Sequence, residues 1–353
     1  MAPVKRESNF ELLRIICMLI IILSHYSVHG GFDTSLIDNP FNKLLIRSTG
    51  LGEVGVQCFF LISGYFMTKS CFQLKRVVQL ELQLLFYSIV FGICTYLLFP
   101  ELIDTGSLLR CFFPALTCQY WFMSVYLLLY LMLPFINFFM NHAPKRLLEY
   151  CILLLGIIYI FLPTLTSYTL AGESTITLFL TVYLLGGYIR LYPDSFRFFR
   201  NRKANLICAL LCHLFIVFSV VFCSFVPVYP RDFFMRAQSL PLVLLSLSLF
   251  LAIKNTQLGY SRIINQAAAS VLGIYLIHDN PYVRSVLWQK LLHNASYGNS
   301  PFLIVHLLVS IVLVFLVCMA IEKIRICLFE RPLMNFLTPR LEQFQSFLIR
   351  RCP

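Results

Sequence analysis

The chain is short of charge. Asp, Glu, Lys and Arg make up only 12% of its 353 residues, against about 25% in an ordinary soluble domain. Acidic residues are the scarcer kind, 16 against 28 Lys and Arg, while 59% of the chain is hydrophobic and 34 residues are Phe. So little polar surface excludes a soluble fold, because the apolar remainder could not be hidden from water. No G-x-S-x-G elbow and no Gly-rich phosphate loop occurs, which removes the common serine-hydrolase and nucleotide-binding signatures. There is no internal repeat and no low-complexity segment, and the thirteen Cys are scattered without zinc-ligand or disulfide-framework spacing. Cys111 and Cys118 share one loop and could pair; the others read as small apolar residues inside the runs.

What the chain has instead is long apolar runs, at about 12–30, 54–68, 80–99, 120–140, 148–166, 175–191, 204–226, 239–253, 267–283 and 301–321. Each approaches the roughly 20 residues needed to cross a bilayer. The expectation is an all-α integral membrane protein of about ten transmembrane helices. The domain layout expected is a single transmembrane domain over 1–340, with 341–353 as a short basic cytoplasmic tail. With the N-terminus in the cytoplasm, all but seven of the 28 Lys and Arg fall on the inner side; Lys43, Arg47, Arg110, Arg231, Arg236, Arg284 and Lys290 are the exceptions. That asymmetry obeys the positive-inside rule and puts both termini in the cytoplasm. The net charge of +12 is therefore a topology signal and a lipid contact, and no nucleic-acid partner is expected.

Ionisable residues inside a span are costly, so they are functional candidates by default. In the first run Arg14 and His25 are eleven residues apart. At about 100° per residue this is three turns plus about 20°, and at 1.5 Å per residue about 16 Å of rise. A guanidinium thus marks the inner end of one helix face and an imidazole lies deep along it, with Glu11 one turn before Arg14. Arg14 can meet an anionic group, and His25 can take a proton near neutrality. The same residues also allow a snorkelling Arg and a structural interhelical His. His25 and His29 are spaced as a metal pair, but no carboxylate or Cys obviously completes a ligand set, so no metal is expected.

Five segments in order resemble a known family. Asn9-Phe10-Glu11-Leu12-Leu13-Arg14 with His25 after ten intervening residues resembles the opening of membrane acyltransferase family 3, the bacterial sugar and polysaccharide O-acetyltransferases. Gly55-Val56-Gln57-Cys58-Phe59-Phe60-Leu61-Ile62-Ser63-Gly64-Tyr65-Phe66 is similar to its second span, and Tyr120-Trp121-Phe122 through Tyr126, Tyr130 and Pro134 to its fourth. Gly273-Ile274-Tyr275-Leu276-Ile277-His278 and Glu330-Arg331-Pro332 resemble its closing Y-L-x-H and E-x-P elements. Two departures are visible: Glu11 stands where the family often has Asp, and Gln79 stands three residues after Arg76 where the family often has a second Arg.

The resemblance implies a membrane enzyme of the inner (plasma) membrane that moves an acetyl group from cytoplasmic acetyl-CoA to a carbohydrate hydroxyl. No cofactor is permanently bound; acetyl-CoA is a co-substrate. His25 is the implied catalytic residue, as general base or acetyl relay. Arg14, Glu11, Lys69, Lys75 and Arg76 are donor-site candidates beside a basic inner face. Ser63, Gly64, Tyr65, Trp121, Tyr126, His278 and Asp279 are candidates for the acceptor or the path to it, and Glu330 for support. Structural readings stand beside these: helix packing for Ser63 and Gly64, an interfacial ring for Trp121 and His278, and a surface ion pair with Arg331 for Glu330. Arg231, Asp232 and Arg236 share one loop and are further acceptor-side candidates. The competing class is a carrier or flippase for a lipid-linked sugar, against which the lack of a repeat weighs. A polymerase would be expected to show a large outer loop, and none is present.

Overall fold

The structure is a computed structural model that describes residues 7–166, 175–223, 225, 230 and 232–351, with the backbone alone over 348–351. Arg231, Lys5 and Arg6 lie outside the described residues. Helices and turns account for the described chain, and no strand occurs among the described residues. Among the described residues seven helices are long and apolar enough to cross a membrane, or up to eight if a bent pair is one span.

Burial separates these helices from those of a soluble bundle. Arg202–Phe222 is among the most apolar, yet only 22% of its central window is buried, and for Lys145–Leu165 the share is 17%. Leu206, Ile207, Leu210, Leu211, Leu214 and Phe218 point outward together. Water would penalise such a surface and hydrocarbon does not, so an apolar exterior at this scale marks a lipid-facing wall.

Several expected spans differ in detail. The run at 120–140 is two helices, Trp121–Leu131 and Leu133–His142, bent by 56°. Pro134 lacks the N–H that would bond back one turn, and its ring crowds the preceding turn. Thr175–Leu191 is a shorter apolar helix. The run at 267–283 contains only the eight-residue helix Val271–His278, about 12 Å long. Asn280 precedes Pro281, which disfavours helical backbone there. Cys111 and Cys118, which share one loop and could pair, are both free. At the C-terminus, Arg331–Arg351 is one helix running through position 341.

By contacts the chain forms two compact units. The first comprises residues 1–70, 136–269 and 293–311, the second 71–135, 270–292 and 312–353. In the first unit Gly52–Met67 packs against both Ser8–Val28 and Thr175–Leu191. Gly55 and Gly64 permit this. A Cβ at Gly55 would overlap the Cys17 carbonyl, and one at Gly64 would overlap the Tyr183 carbonyl. Phe60 stacks on Phe179 with ring centres 4.3 Å apart between these two contacts. In the second unit Leu74–Leu98 packs against Val271–His278 and against the helix Arg331–Arg351.

Candidate functional site

The opening helix Ser8–Val28 is anchored at its start by its own side chains. Asn9 Nδ2 donates to the Ile253 and Lys254 carbonyls, both at 3.3 Å, where the end of another helix leaves carbonyls without a partner. Ser8 Oγ donates to Asn265 at 3.2 Å and accepts from the Ser261 amide at 2.9 Å. Phe10 stacks on Tyr65 at 5.2 Å and meets Phe66 edge-on at 4.8 Å. The Asn-Phe pair that opens the family-like motif is thus structural. Next to it, Arg14 Nη1 donates to Glu11 Oε1 at 2.5 Å. The Glu11 side chain is 7% exposed and that of Arg14 31%. Glu11 therefore holds the guanidinium in place, while the Arg14 side chain stays partly exposed.

Other cations in the same unit gather near this end. Arg190 Nη1 donates to the Tyr65 hydroxyl at 3.1 Å and lies over the Tyr65 ring at 4.8 Å. Lys254, at the end of the helix that Asn9 caps, is within electrostatic reach of Arg200 and Arg190, with Asp194 as the opposing charge. Tyr65 therefore acts as a platform for a guanidinium. The cationic residues grouped here include Arg190, Arg200 and Lys254, which the sequence offered only as topology signals. Lys69 is exposed at the end of the adjoining helix. Ser63 is half-buried, and Gly64 is occupied with helix packing.

At the far end, His25 and His29 occupy successive turns with ring centres 4.9 Å apart. The neighbouring Tyr26 is fully buried, its hydroxyl 2.8 Å from His306 Nδ1. His306 in turn stacks on Tyr297 at 3.8 Å, and Asn294 Nδ2 donates to the Tyr26 carbonyl at 3.0 Å. These contacts fix the rotation of the last turn and so aim His25. Beyond it, Asp232 and Arg236 line a cavity of about 300 Å³ together with Ser27 and Arg47.

One stripe of the first helix therefore carries an accessible guanidinium at one end and a clamped imidazole turn at the other. A family model for the acyltransferase domain, of the acyltransferase 3 family, matches residues 7–323. The chain belongs to acyltransferase family 3. Comparison with curated proteins and with solved structures finds no match. The apolar, outward-facing helices make it a membrane acyltransferase.

The second unit of this acyltransferase holds the remaining candidates. Lys75 Nζ pairs with Glu342 at 2.8 Å, and Arg76 lies 5.9 Å from the Tyr130 ring centre. Gln79 Nε2, at the position that departs from the family pattern, donates to Glu330 Oε1 at 2.7 Å. Glu330 also pairs with Arg325, so its ionic partner is Arg325 and not the adjacent Arg331, which is exposed. Arg325 simultaneously forks onto Glu322, with Nε at 2.7 Å and Nη2 at 2.8 Å. Glu322 also accepts from Tyr87 at 2.5 Å and from Gln83 at 2.9 Å. Nothing but the i, i+3 spacing of Glu322 and Arg325 beside an apolar run signals this network in the sequence.

Trp121 is 38% exposed at the start of its helix, and Tyr126 is 6.1 Å from Phe122. The buried anchor of this segment is Tyr120, whose hydroxyl donates to the Leu276 carbonyl at 3.1 Å and accepts from Asn280 Nδ2 at 2.6 Å. His278 is fully buried, with Nδ1 2.6 Å from the Ile274 carbonyl and its ring edge-on to Trp288. That burial is unlike a ring at a membrane–water interface. Asp279 is 3.9 Å from Arg284.

Proposed function

We propose that this membrane acyltransferase transfers an acetyl group from cytoplasmic acetyl-CoA to a hydroxyl of a cell-surface or exported glycan. The observation that carries the reading is the stripe on Ser8–Val28, with Arg14 and His25 about 16 Å apart along it. CoA phosphates suit the Arg14 end, where Arg190, Arg200 and Lys254 add positive charge. The thioester then reaches along the stripe toward His25. The proposed topology has ten membrane segments with both termini in the cytoplasm of a cell whose inner membrane holds the protein. In it Arg14 faces the donor compartment, and the short segments 175–191 and 271–278 complete the count.

The step follows from the groups present. His25 accepts the proton of the acceptor hydroxyl, and the oxygen attacks the thioester carbonyl. The C–O bond forms, the C–S bond breaks, and the CoA sulfur leaves with the proton that His25 returns. If His25 instead takes the acetyl group first, a C–N bond to its ring forms as the C–S bond breaks, and the acceptor oxygen then forms the C–O bond as the C–N bond breaks, the hydroxyl proton passing to the CoA thiolate. His25→Ala is expected to abolish glycan acetylation at normal protein level. Acetyl content unchanged in that variant, measured by mass spectrometry of the glycan, would remove His25 from the chemistry.

A further inference from the structure

We propose that the cavity beyond the end of Ser8–Val28 is a subsite for an anionic sugar unit of the acceptor, with one oxyanion group, a carboxylate or a phosphate, held between Arg47 and Arg236. This deepens the glycan-acetylation reading and rests on it. The cavity measures about 300 Å³, the lower end of the range for small-molecule sites. Its polar lining is Ser27, Thr34, Arg47, Asp232 and Arg236, and its apolar lining includes Val28, Phe32, Ile46 and Met235. Apolar patches beside converging donors match a pyranose ring, which has C–H faces and an equatorial rim of hydroxyls.

The charge pattern selects an anion. Arg47 is held in orientation by Thr34 Oγ1, which accepts from Nε at 3.3 Å and from Nη2 at 3.0 Å. Thr34 is itself presented by a tight turn in which the Ser35 amide and hydroxyl donate to Asp33 Oδ1 at 2.9 and 2.6 Å. Those bonds hold the Asp33 carboxyl below the usual carboxylate range, so it is ionised and committed to the turn. Arg236 lies against the Phe233 ring at 5.5 Å and forms no ion pair among the described residues. Among the described residues of the lining, the two guanidiniums outnumber the carboxylate of Asp232. Cations are scarce on this side of the expected topology, so two of them converging on one cavity is not the positive-inside bias, which acts on the other side. Guanidiniums also recognise carboxylate and phosphate through paired N–H donors.

The position also fits. Ser27 lies two residues beyond His25, about 3 Å further along the axis and roughly on the opposite side of the helix. The helix ends at Val28. A glycan crossing that end can place one unit in the cavity while a neighbouring unit presents its hydroxyl on the His25 side. The subsite therefore takes the unit flanking the acetylated one.

The test uses the full chain in detergent and three tetrasaccharide probes: one of alternating glucuronate and N-acetylglucosamine, its carboxyl-reduced neutral counterpart, and the neutral one bearing a phosphodiester. The expected result is binding of the glucuronate or the phosphodiester probe at least tenfold tighter than the neutral one, the preferred anion identifying the oxyanion. Arg236→Gln and Arg47→Gln should each erase that preference, and Asp232→Asn, which removes the opposing charge without touching Thr34, should strengthen anion binding severalfold. Equal binding of neutral and anionic probes, no binding of either anionic probe, or an unchanged preference in Arg236→Gln would overturn the subsite. His25→Ala separates the two ideas: it should keep the anion preference while losing acetyl transfer, and transfer that survives it sinks the catalytic reading and leaves the subsite standing.

Discussion

Arg325 grips Glu322 through two parallel hydrogen bonds, at 2.7 and 2.8 Å, with only 5% and 1% of the two side chains exposed. Glu322 is further held by Tyr87 and Gln83, and Gly273 lies so close that a Cβ there would overlap the carboxylate. The Glu322–Arg325 pair thus ties the helix beginning at Leu303 to Leu74–Leu98, to Val271–His278 and to Glu330.

Removing that guanidinium leaves two carboxylates without their counter-charge. Arg325→Ala is expected to cost about 3–5 kcal/mol, the range for breaking one side of a buried pair. The double variant Glu322→Leu with Arg325→Leu should lose less, since both buried charges go together. Arg325→Lys should fall between, because a point charge cannot fork. Thermal unfolding in detergent measures all three. Equal loss in single and double variants would mean the pair's charge is not what holds these helices.

Arg14→Ala addresses the donor end. Glu11 pins Arg14 at 2.5 Å in an accessible position, so its loss should raise KM for acetyl-CoA at least tenfold with a smaller change in kcat. Glu11→Gln should raise KM by less, because it loosens the guanidinium without deleting it. A fall in kcat at unchanged KM for Arg14→Ala would contradict a binding role.

Gly64 tests packing against pathway. Because a Cβ would overlap the Tyr183 carbonyl, Gly64→Ala should reduce the amount of folded protein and lower its melting temperature. Normal amounts of a stable but inactive variant would instead place Gly64 on the substrate path.

Tyr120→Phe removes a hydroxyl bonded to both Leu276 and Asn280. The Asn280 amide, itself fully buried, would lose an acceptor, at a cost of about 1–3 kcal/mol. Trp121→Phe next to it should cost less, since Trp121 is 38% exposed. A larger loss at Trp121 on thermal unfolding would reverse that ranking.

Composition by itself determined that this chain lives in a membrane, because 12% charge over 353 residues cannot cover the apolar remainder in water. Spacing by itself put Arg14 and His25 on one stripe, since helical periodicity is a local property. The motifs of the first and second spans announced the family for the same reason: they are contiguous in the chain. What residues far apart do to one another was not legible. The sequence offered Glu330 a partner at Arg331, and the fold gave it Arg325 and Gln79. Trp121 carried the motif, but burial chose Tyr120. Arg47 read as a stray outer charge and Arg236 as an acceptor-side loop candidate, almost two hundred positions away, until the fold set them around one cavity. Pair formation between distant side chains depends on which helix faces meet, and that is fixed by close approaches such as Gly64 against Tyr183 and by the bend at Pro134, which only the packed chain decides.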